Sequence, residues 1–182
     1  MSRPGLSFLR PIAALPLLGL LALAGGCGYR LVGTSSNLPP KLQKLYVAPF
    51  VNQTTRAELD QRMTEEVTQE WVRRGRFQLV SSAEEADAVM SGTINTAVVM
   101  PVQFDKDGRA TQYQLTVSAD VQLVDRTGEQ PVLLWRDPRF QRSSPYDVTV
   151  DAANYFDKEI EAMEQLSRDY ARALVVTVLE GF

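Results

Sequence analysis

From Leu59 to Trp71 an apolar residue falls at every fourth position (Leu59, Met63, Val67, Trp71), with Glu65, Glu66, Gln69 and Arg73 between and after them. That spacing predicts an amphipathic helix with one core-facing stripe, ended at Gly75. Thr55 and Glu58 stand just ahead at capping-box spacing. Further on the period changes to two. Tyr113, Leu115, Val117, Ala119, Val121 and Leu123 alternate with Gln112, Gln114, Thr116, Ser118, Asp120 and Gln122. This predicts a strand with one face in the core and the other wet. A second helical repeat, Ala152, Phe156, Ile160, Met163, Leu166, Tyr170, Leu174 and Val178, predicts a helix from about Asp151 to Leu179. Glu159, Glu161, Glu164, Arg168, Asp169 and Arg172 are expected on its solvated surface.

Shorter elements fill the gaps. Lys44 to Phe50 and Phe77 to Val80 read as brief strands, the first closed by Pro49. Ser81 and Ser82, followed by Glu84 and Glu85, predict a single helical turn. Ala88 to Met100 reads as a strand with Met90, Ile94, Val98 and Met100 on a shared face. Asp105-Lys106-Asp107-Gly108 and Asp125-Arg126-Thr127-Gly128 supply turns. Val132 to Arg136 begins a further strand, interrupted at Asp137-Pro138. Proline cannot donate to a ladder, so this strand is expected at an edge or bulged. The order β-α-β, meander, helix predicts an α+β fold: a two-layer sandwich with two helices packed on one face of a mixed four- or five-stranded sheet.

Ahead of the domain, Arg3 and Arg10 precede Pro11 to Ala24, a stretch without charge. Roughly 14 apolar residues are too few to span a bilayer, which takes about 20, but they suit a signal peptide with small residues at its cleavage point. Cys27, the only cysteine, follows directly. Leu23-Ala24-Gly25-Gly26-Cys27 resembles a bacterial lipobox, with Ala24 where a larger apolar residue is usual. The expectation is a signal peptide over 1–26, a lipidated N-terminus and tether over 27–42, and one domain over 43–182. Cys27 is the lipid anchor in this reading, and more than one acyl chain on it gives lasting membrane attachment. Gly28, in place of an inner-membrane retention aspartate, favours the outer membrane.

Charge and chemistry narrow the function. The net charge is −3, and loss of residues 1–26 removes Arg3 and Arg10 but no acid. No broad basic field remains for nucleic acid. The chain has no histidine, its one thiol is assigned to the anchor, and it carries neither a phosphate-binding glycine loop nor a nucleophile elbow. Glu65/Glu66, Glu84/Glu85 and Glu159/Glu161 are read as solvated helix-face charges. Asp105-Lys106-Asp107-Gly108 lacks the remaining ligands of a calcium loop. A protein without catalysis, metal or cofactor is expected. For binding, Arg136, Arg139 and Arg142 lie close together with Trp135, Phe140 and Tyr146 interleaved, and Lys106 and Arg109 sit in the preceding strand connection. Arginine forks grip phosphates bidentately. The plainer reading of the same residues is edge-strand protection.

Several segments together carry a family resemblance. Cys27-Gly28-Tyr29-Arg30-Leu31-Val32-Gly33 resembles the C-G-Y-x-L-x-G start of the LptE family of lipopolysaccharide-assembly lipoproteins. Leu38-Pro39, Val47-Ala48-Pro49-Phe50 with Asn52, Glu85-Ala86-Asp87-Ala88 leading to Gly92, and the ending Leu179-Glu180-Gly181-Phe182 are similar to that family's pattern. The resemblance implies an α+β sandwich held in the outer membrane by its lipid. It also implies that the protein acts as plug and assembly factor inside an LptD-type barrel and helps insert lipopolysaccharide at the cell surface. Lys106, Arg109, Arg136, Arg139 and Arg142 are candidate lipopolysaccharide contacts because lipid A carries phosphates; no family motif assigns them. A competing reading is an accessory lipoprotein of another envelope secretion or efflux channel. An envelope hydrolase using paired carboxylates is a more distant rival.

Overall fold

The computed structural model describes residues 37–148 and 155–181. The signal peptide, Cys27, the resemblance segment Cys27–Gly33 and the expected helix start at Ala152 lie outside the described residues. In chain order the elements are β1 (Lys44–Val47), β2 (Val51–Asn52), α1 (Leu59–Arg74), β3 (Gln78–Leu79), β4 (Ala88–Phe104), β5 (Ala110–Asp125), β6 (Val132–Asp147) and α2 (Tyr155–Glu180). The sheet runs β3-β1-β4-β5-β6, with β2 added beside β4. The strands β3, β1, β2 and β4 are mutually parallel where they pair, and β4-β5-β6 is an antiparallel meander. Helix α1 lies over β1, β2 and β3, and α2 over β5 and β6, with the two helices in contact. This is the expected α+β sandwich on a mixed sheet, with six strands when the two-residue β2 is counted.

The stripes read from the sequence form the core. Leu59, Met63, Val67 and Trp71 of α1 are fully buried, as are Leu115, Val117, Ala119, Val121 and Leu123 of β5. On α2, Leu166, Tyr170, Leu174 and Val178 are buried. Buried polar atoms find partners: Trp71 Nε1 donates to Met90 Sδ at 3.3 Å, and the Tyr170 hydroxyl donates to the Phe140 carbonyl at 3.3 Å. Burial in this apolar setting raises the Tyr170 pKa, with Asp137 adding to the effect.

Five local expectations give way to other physics. Glu58 adopts a left-handed conformation (φ 60°) and makes no side-chain cap, so the Thr55–Glu58 capping box does not form. Asn52 organises this loop instead, accepting from the Thr54 amide at 2.9 Å and donating to the Arg56 carbonyl at 2.6 Å. Ser82 and Glu85 lie in a turn and not a helical turn, their side chains 3.4 Å apart. The first strand stops at Val47, ahead of Pro49, and pairing resumes as β2. In β4 a bulge between Ile94 and Thr96 shifts the alternation. Met90 and Ile94 are buried, whereas Val98 is 43% and Met100 62% exposed, and Ala97 and Val99 turn to the core in their place. On α2, Ile160 is 49% exposed and Glu159 is buried, because Glu159 pairs with Arg56 across the helix–helix seam.

β6 is an edge strand and is also irregular, with its register to β5 shifting between Phe140 and Asp137. It runs unbroken as a strand through Pro138 and Pro145. From Asn37 onward the stretch expected as tether is built into the domain. The Asn37 amide donates to the Leu179 carbonyl at 3.0 Å, and Leu42 is fully buried. The Arg76 guanidinium donates to the carbonyls of Leu42 at 2.9 Å and Pro39 at 3.1 Å.

Candidate functional site

The period-two pattern of β5 sends Gln112, Gln114, Thr116, Asp120 and Gln122 away from the buried row, onto the sheet face opposite the core. Directly opposed residues of an antiparallel pair share a face. The register therefore adds Ser91, Thr93, Thr96, Val98 and Met100 from β4 and Arg136, Gln141, Ser143 and Asp147 from β6. These side chains join across the strands. Gln122 donates to Ser91 Oγ at 3.2 Å, Thr116 and Ser143 hydroxyls lie 2.8 Å apart, and Gln112 donates to Asp147 Oδ1 at 2.8 Å. Arg136 grips Asp120 with two bonds, Nε to Oδ1 at 3.0 Å and Nη2 to Oδ2 at 2.6 Å. That fork holds the Asp120 carboxyl below its usual range and raises Arg136. The result is a broad, mostly polar surface on which four cross-strand pairs are already hydrogen-bonded to each other.

The five candidate phosphate contacts do not converge. Arg136 lies on this open face, opposite Gln122. Arg142 lies opposite Val117, on the core side, and stacks its guanidinium 4.7 Å above the Phe140 ring. Arg139 falls inside the β6 register shift and has no residue opposite it in β5; its amide donates to Asp137 Oδ1 at 2.8 Å. Lys106 and Arg109 are at the tip of the β4–β5 hairpin. Along β5 from Ala110 to Gln122, at about 3.3 Å per residue, the tip lies roughly 40 Å from Arg136.

The tip itself is electrically balanced. Arg109 pairs with Asp107 at 3.6 Å, and Asp105 Oδ1 accepts the amides of Asp107 at 2.8 Å and Arg109 at 2.9 Å. Asp105 thus closes the turn, with Gly108 at φ 77°. Among the described residues, Lys106 and Arg139 make no side-chain ion pair.

The paired carboxylates are only partly solvated. Glu65, Glu84, Glu85 and Glu161 are exposed, whereas Glu159 is buried against Arg56. Glu70, one turn on from Glu66, is buried and held by Arg73 at 2.9 Å and Arg74 at 2.7 Å. A cleft of about 270 Å³ between the N-terminal halves of the helices is lined by Arg56, Arg62 and Glu159. Its charges are spoken for: Arg56 pairs with Glu159, and Arg62 with Glu164 at 3.2 Å. Among the described residues no three of His, Cys, Asp and Glu stand close enough to hold a metal ion, and no helix is long and apolar enough to cross a membrane.

Residues of the resembling motifs prove to be structural. Asp87 Oδ2 accepts the amides of Gln43 at 2.8 Å and Lys44 at 2.9 Å, which pins the start of β1 and lowers the Asp87 pKa. Outside those motifs, Asp125, opposite Ala88 in the sheet, accepts from Lys41 at 2.8 Å and from the Thr127 amide at 2.8 Å, and its pKa falls to about 2. Gly92 leaves room for the Phe50 ring. The Arg136–Asp120 fork and the cross-strand ladder are not legible from spacing, because they depend on the β5–β6 register.

A family model described as LptE, lipopolysaccharide-assembly, matches residues 42–177. No curated protein matches the chain in sequence. Solved structures share its fold at low identity. A hypothetical protein from Chlamydia trachomatis is 13% identical with a TM-score of 0.52, over 78% of this chain and 99% of that one. Lipoprotein B from Nitrosomonas europaea is 16% identical with a TM-score of 0.50, over 85% and 92%. A PelC dodecamer from Paraburkholderia phytofirmans is 11% identical with a TM-score of 0.50, over 80% and 95%.

Proposed function

The chain belongs to the LptE family of lipopolysaccharide-assembly proteins, and from that premise we propose that it is a non-catalytic lipoprotein, anchored to the outer membrane through acylated Cys27, that plugs and helps assemble an LptD-type barrel during lipopolysaccharide insertion. The observation that carries this reading is the polar sheet face of β5 and its neighbours. A side of a sheet left without helices is normally the side that solvent or a polar partner covers. The interior of a large outer-membrane barrel is polar, so the Gln114–Thr116–Asp120–Gln122 row matches such a wall without burying unpaired charge. Within this reading Lys106, Arg109, Arg136, Arg139 and Arg142 contact lipopolysaccharide phosphates at separate points, because the hairpin tip lies roughly 40 Å from Arg136 and strand alternation puts Arg136 and Arg142 on opposite faces. The chemistry offered is recognition and support, with no proton or group transferred.

Co-purification tests the proposal. A tagged chain isolated from mild detergent should bring down a large outer-membrane barrel; a different oligomeric channel in its place would support the accessory-lipoprotein reading. Replacing Gln114, Thr116 and Asp120 together with Leu, Ile and Leu should deplete the barrel from the eluate while leaving the folded monomer. Unchanged barrel recovery would remove the open face from the interface. The intact mass of the native protein should carry acyl chains on Cys27, and an unmodified thiol would overturn the anchor.

A further inference from the structure

The open sheet face changes character at one end. Across β1, β4, β5 and β6 the register aligns Tyr46, Val89, Val124 and Leu133 in one row. The row lies on the open side: the alternate residues Leu45, Ala88, Met90 and Leu123 are the buried ones, and none of the four belongs to the core. The next row, Ser91, Gln122 and Arg136, is already polar. Leu133 is 55% exposed, and Val132 beside it, opposite Asp125, is 56% exposed. Single apolar residues on a surface are ordinary, whereas a contiguous exposed patch marks a contact. The chain also leaves the domain at this end. Lys41 donates to Thr127 Oγ1 at 2.8 Å and pairs with Asp125 at 2.8 Å, which ties the first described residues to the β5–β6 turn. Nine residues, Gly28 to Ser36, separate Asn37 from Cys27, a span of at most about 35 Å. The β4–β5 hairpin tip stands at the other end of β5, roughly 50 Å along the strand.

We propose that this end of the sheet, the row Tyr46–Val89–Val124–Leu133 with Val132 beside it, rests on the lipid surface next to acylated Cys27, as a second point of membrane contact. An acyl anchor so few residues away keeps this end, and not the hairpin tip, close to the bilayer. A barrel lumen is polar, so the row does not match that wall, whereas lipid does. Lys44, two residues before Tyr46, and Arg126, two after Val124, are both exposed. Long cationic side chains at such a border lay their stems on apolar surface and their charges among headgroups. Glu84 lies near Arg126 and Glu129 follows in the same turn. The seat therefore carries no net positive charge, and its hold is apolar. The inference rests on the lipid anchor of the proposed function and not on the barrel.

Depth-dependent quenching tests it. The full chain, as isolated from membranes, is reconstituted into vesicles of phosphatidylethanolamine and phosphatidylglycerol containing nitroxide-labelled phospholipid. Acylated Cys27 has no thiol and is the only native cysteine, so Val132→Cys offers one site for a nitrobenzoxadiazole label. Glu65→Cys on α1 and Asp107→Cys at the hairpin tip, both exposed positions, serve as references. Quenching at 132 should exceed that at 65 and 107 several-fold, at low and high salt alike. Leu133→Glu in the Val132→Cys background should abolish the excess with the acyl mass and the thermal melt unchanged. Equal quenching at the three positions, on a chain whose mass carries the acyl groups, overturns the inference and leaves the anchor standing. A label at 132 that is blue-shifted yet unquenched also overturns it, by assigning the row to a protein surface. An unacylated mass, with wild type taking the label at Cys27, overturns the anchor and this seat with it.

Discussion

The ring of Phe50 occupies the space that a side chain on residue 92 would need: a Cβ built on Gly92 overlaps three Phe50 ring atoms, with Cζ at 2.7 Å. Phe50 is 3% exposed, so its ring has no free space to move into. Gly92→Ala should therefore cost about 1–3 kcal/mol through overpacking. For a chain of this size that is a drop of roughly 2–4 °C in melting temperature per kcal/mol. Thermal melts of Gly92→Ala, Phe50→Leu and the pair should show strong non-additivity, with the double variant losing less than the two singles combined. Full additivity would mean the two residues do not share this space.

Leu42 tests where the domain begins. Its side chain is fully buried, and the neighbouring Gln43 is exposed. Leu42→Ala should destabilise the protein by about 2–5 kcal/mol, the range for truncating a core leucine. Gln43→Ala should change little. Urea unfolding of both variants separates a packed segment from a loose tether, for which the two substitutions would be equally silent.

How much of this was readable in advance follows from which forces act locally. The α1 stripe, the β5 alternation and the later part of the α2 repeat, from Leu166 to Val178, came through because each rests on several residues sharing one period. The bulge at Asn95 did not. One inserted residue reverses the facing of Val98 and Met100, and nothing in the apolar pattern marks it. Glu159 looked like a solvated charge because its partner, Arg56, is more than a hundred positions away in the chain. Leu42 looked like tether because Pro39 and Pro40 just before it carry turn signals, whereas Arg76, in the connection after α1, holds the carbonyls of Pro39 and Leu42. The candidate arginines were grouped by sequence proximity, yet strand alternation and the β6 register shift put them on different faces.

Acid should loosen the end of the sheet where Lys41 meets β5. Asp125 is held near a pKa of about 2, against an ordinary value of 3.8, chiefly by Lys41 and then by Thr127. Asp87 is lowered by the Gln43 and Lys44 amides. A depressed folded-state pKa means the unfolded chain binds protons first, so this stability is present above about pH 4 and is lost as pH falls toward 2. Circular dichroism melts between pH 5 and 2 should show the loss concentrated in that window. Asp125→Asn should lower the melting temperature at pH 7 and flatten the acid limb. An unaltered acid limb in that variant would place the titrating group elsewhere.

Lipopolysaccharide contact, if it uses the candidate cations, should rank them by how free each is. Arg136 must give up a two-bond fork to Asp120 before it can take a phosphate, and Arg142 is laid over the Phe140 ring. Arg109 has Asp107 at 3.6 Å beside it. A phosphate arriving at any of these three displaces an existing partner, and the exchanged interaction offsets much of the new one. Among the described residues Lys106 and Arg139 have no ion pair to give up. Lys106→Glu and Arg139→Glu should each weaken binding of purified lipopolysaccharide several-fold, and Arg142→Gln and Arg136→Gln should do so less. Asp120→Asn frees Arg136 and should tighten binding if that arginine faces the ligand. Microscale titration of the five variants in detergent measures the ranking. A dominant loss from Arg136→Gln, with Lys106→Glu silent, would show that the ligand lies on the open sheet face and displaces the Asp120 fork.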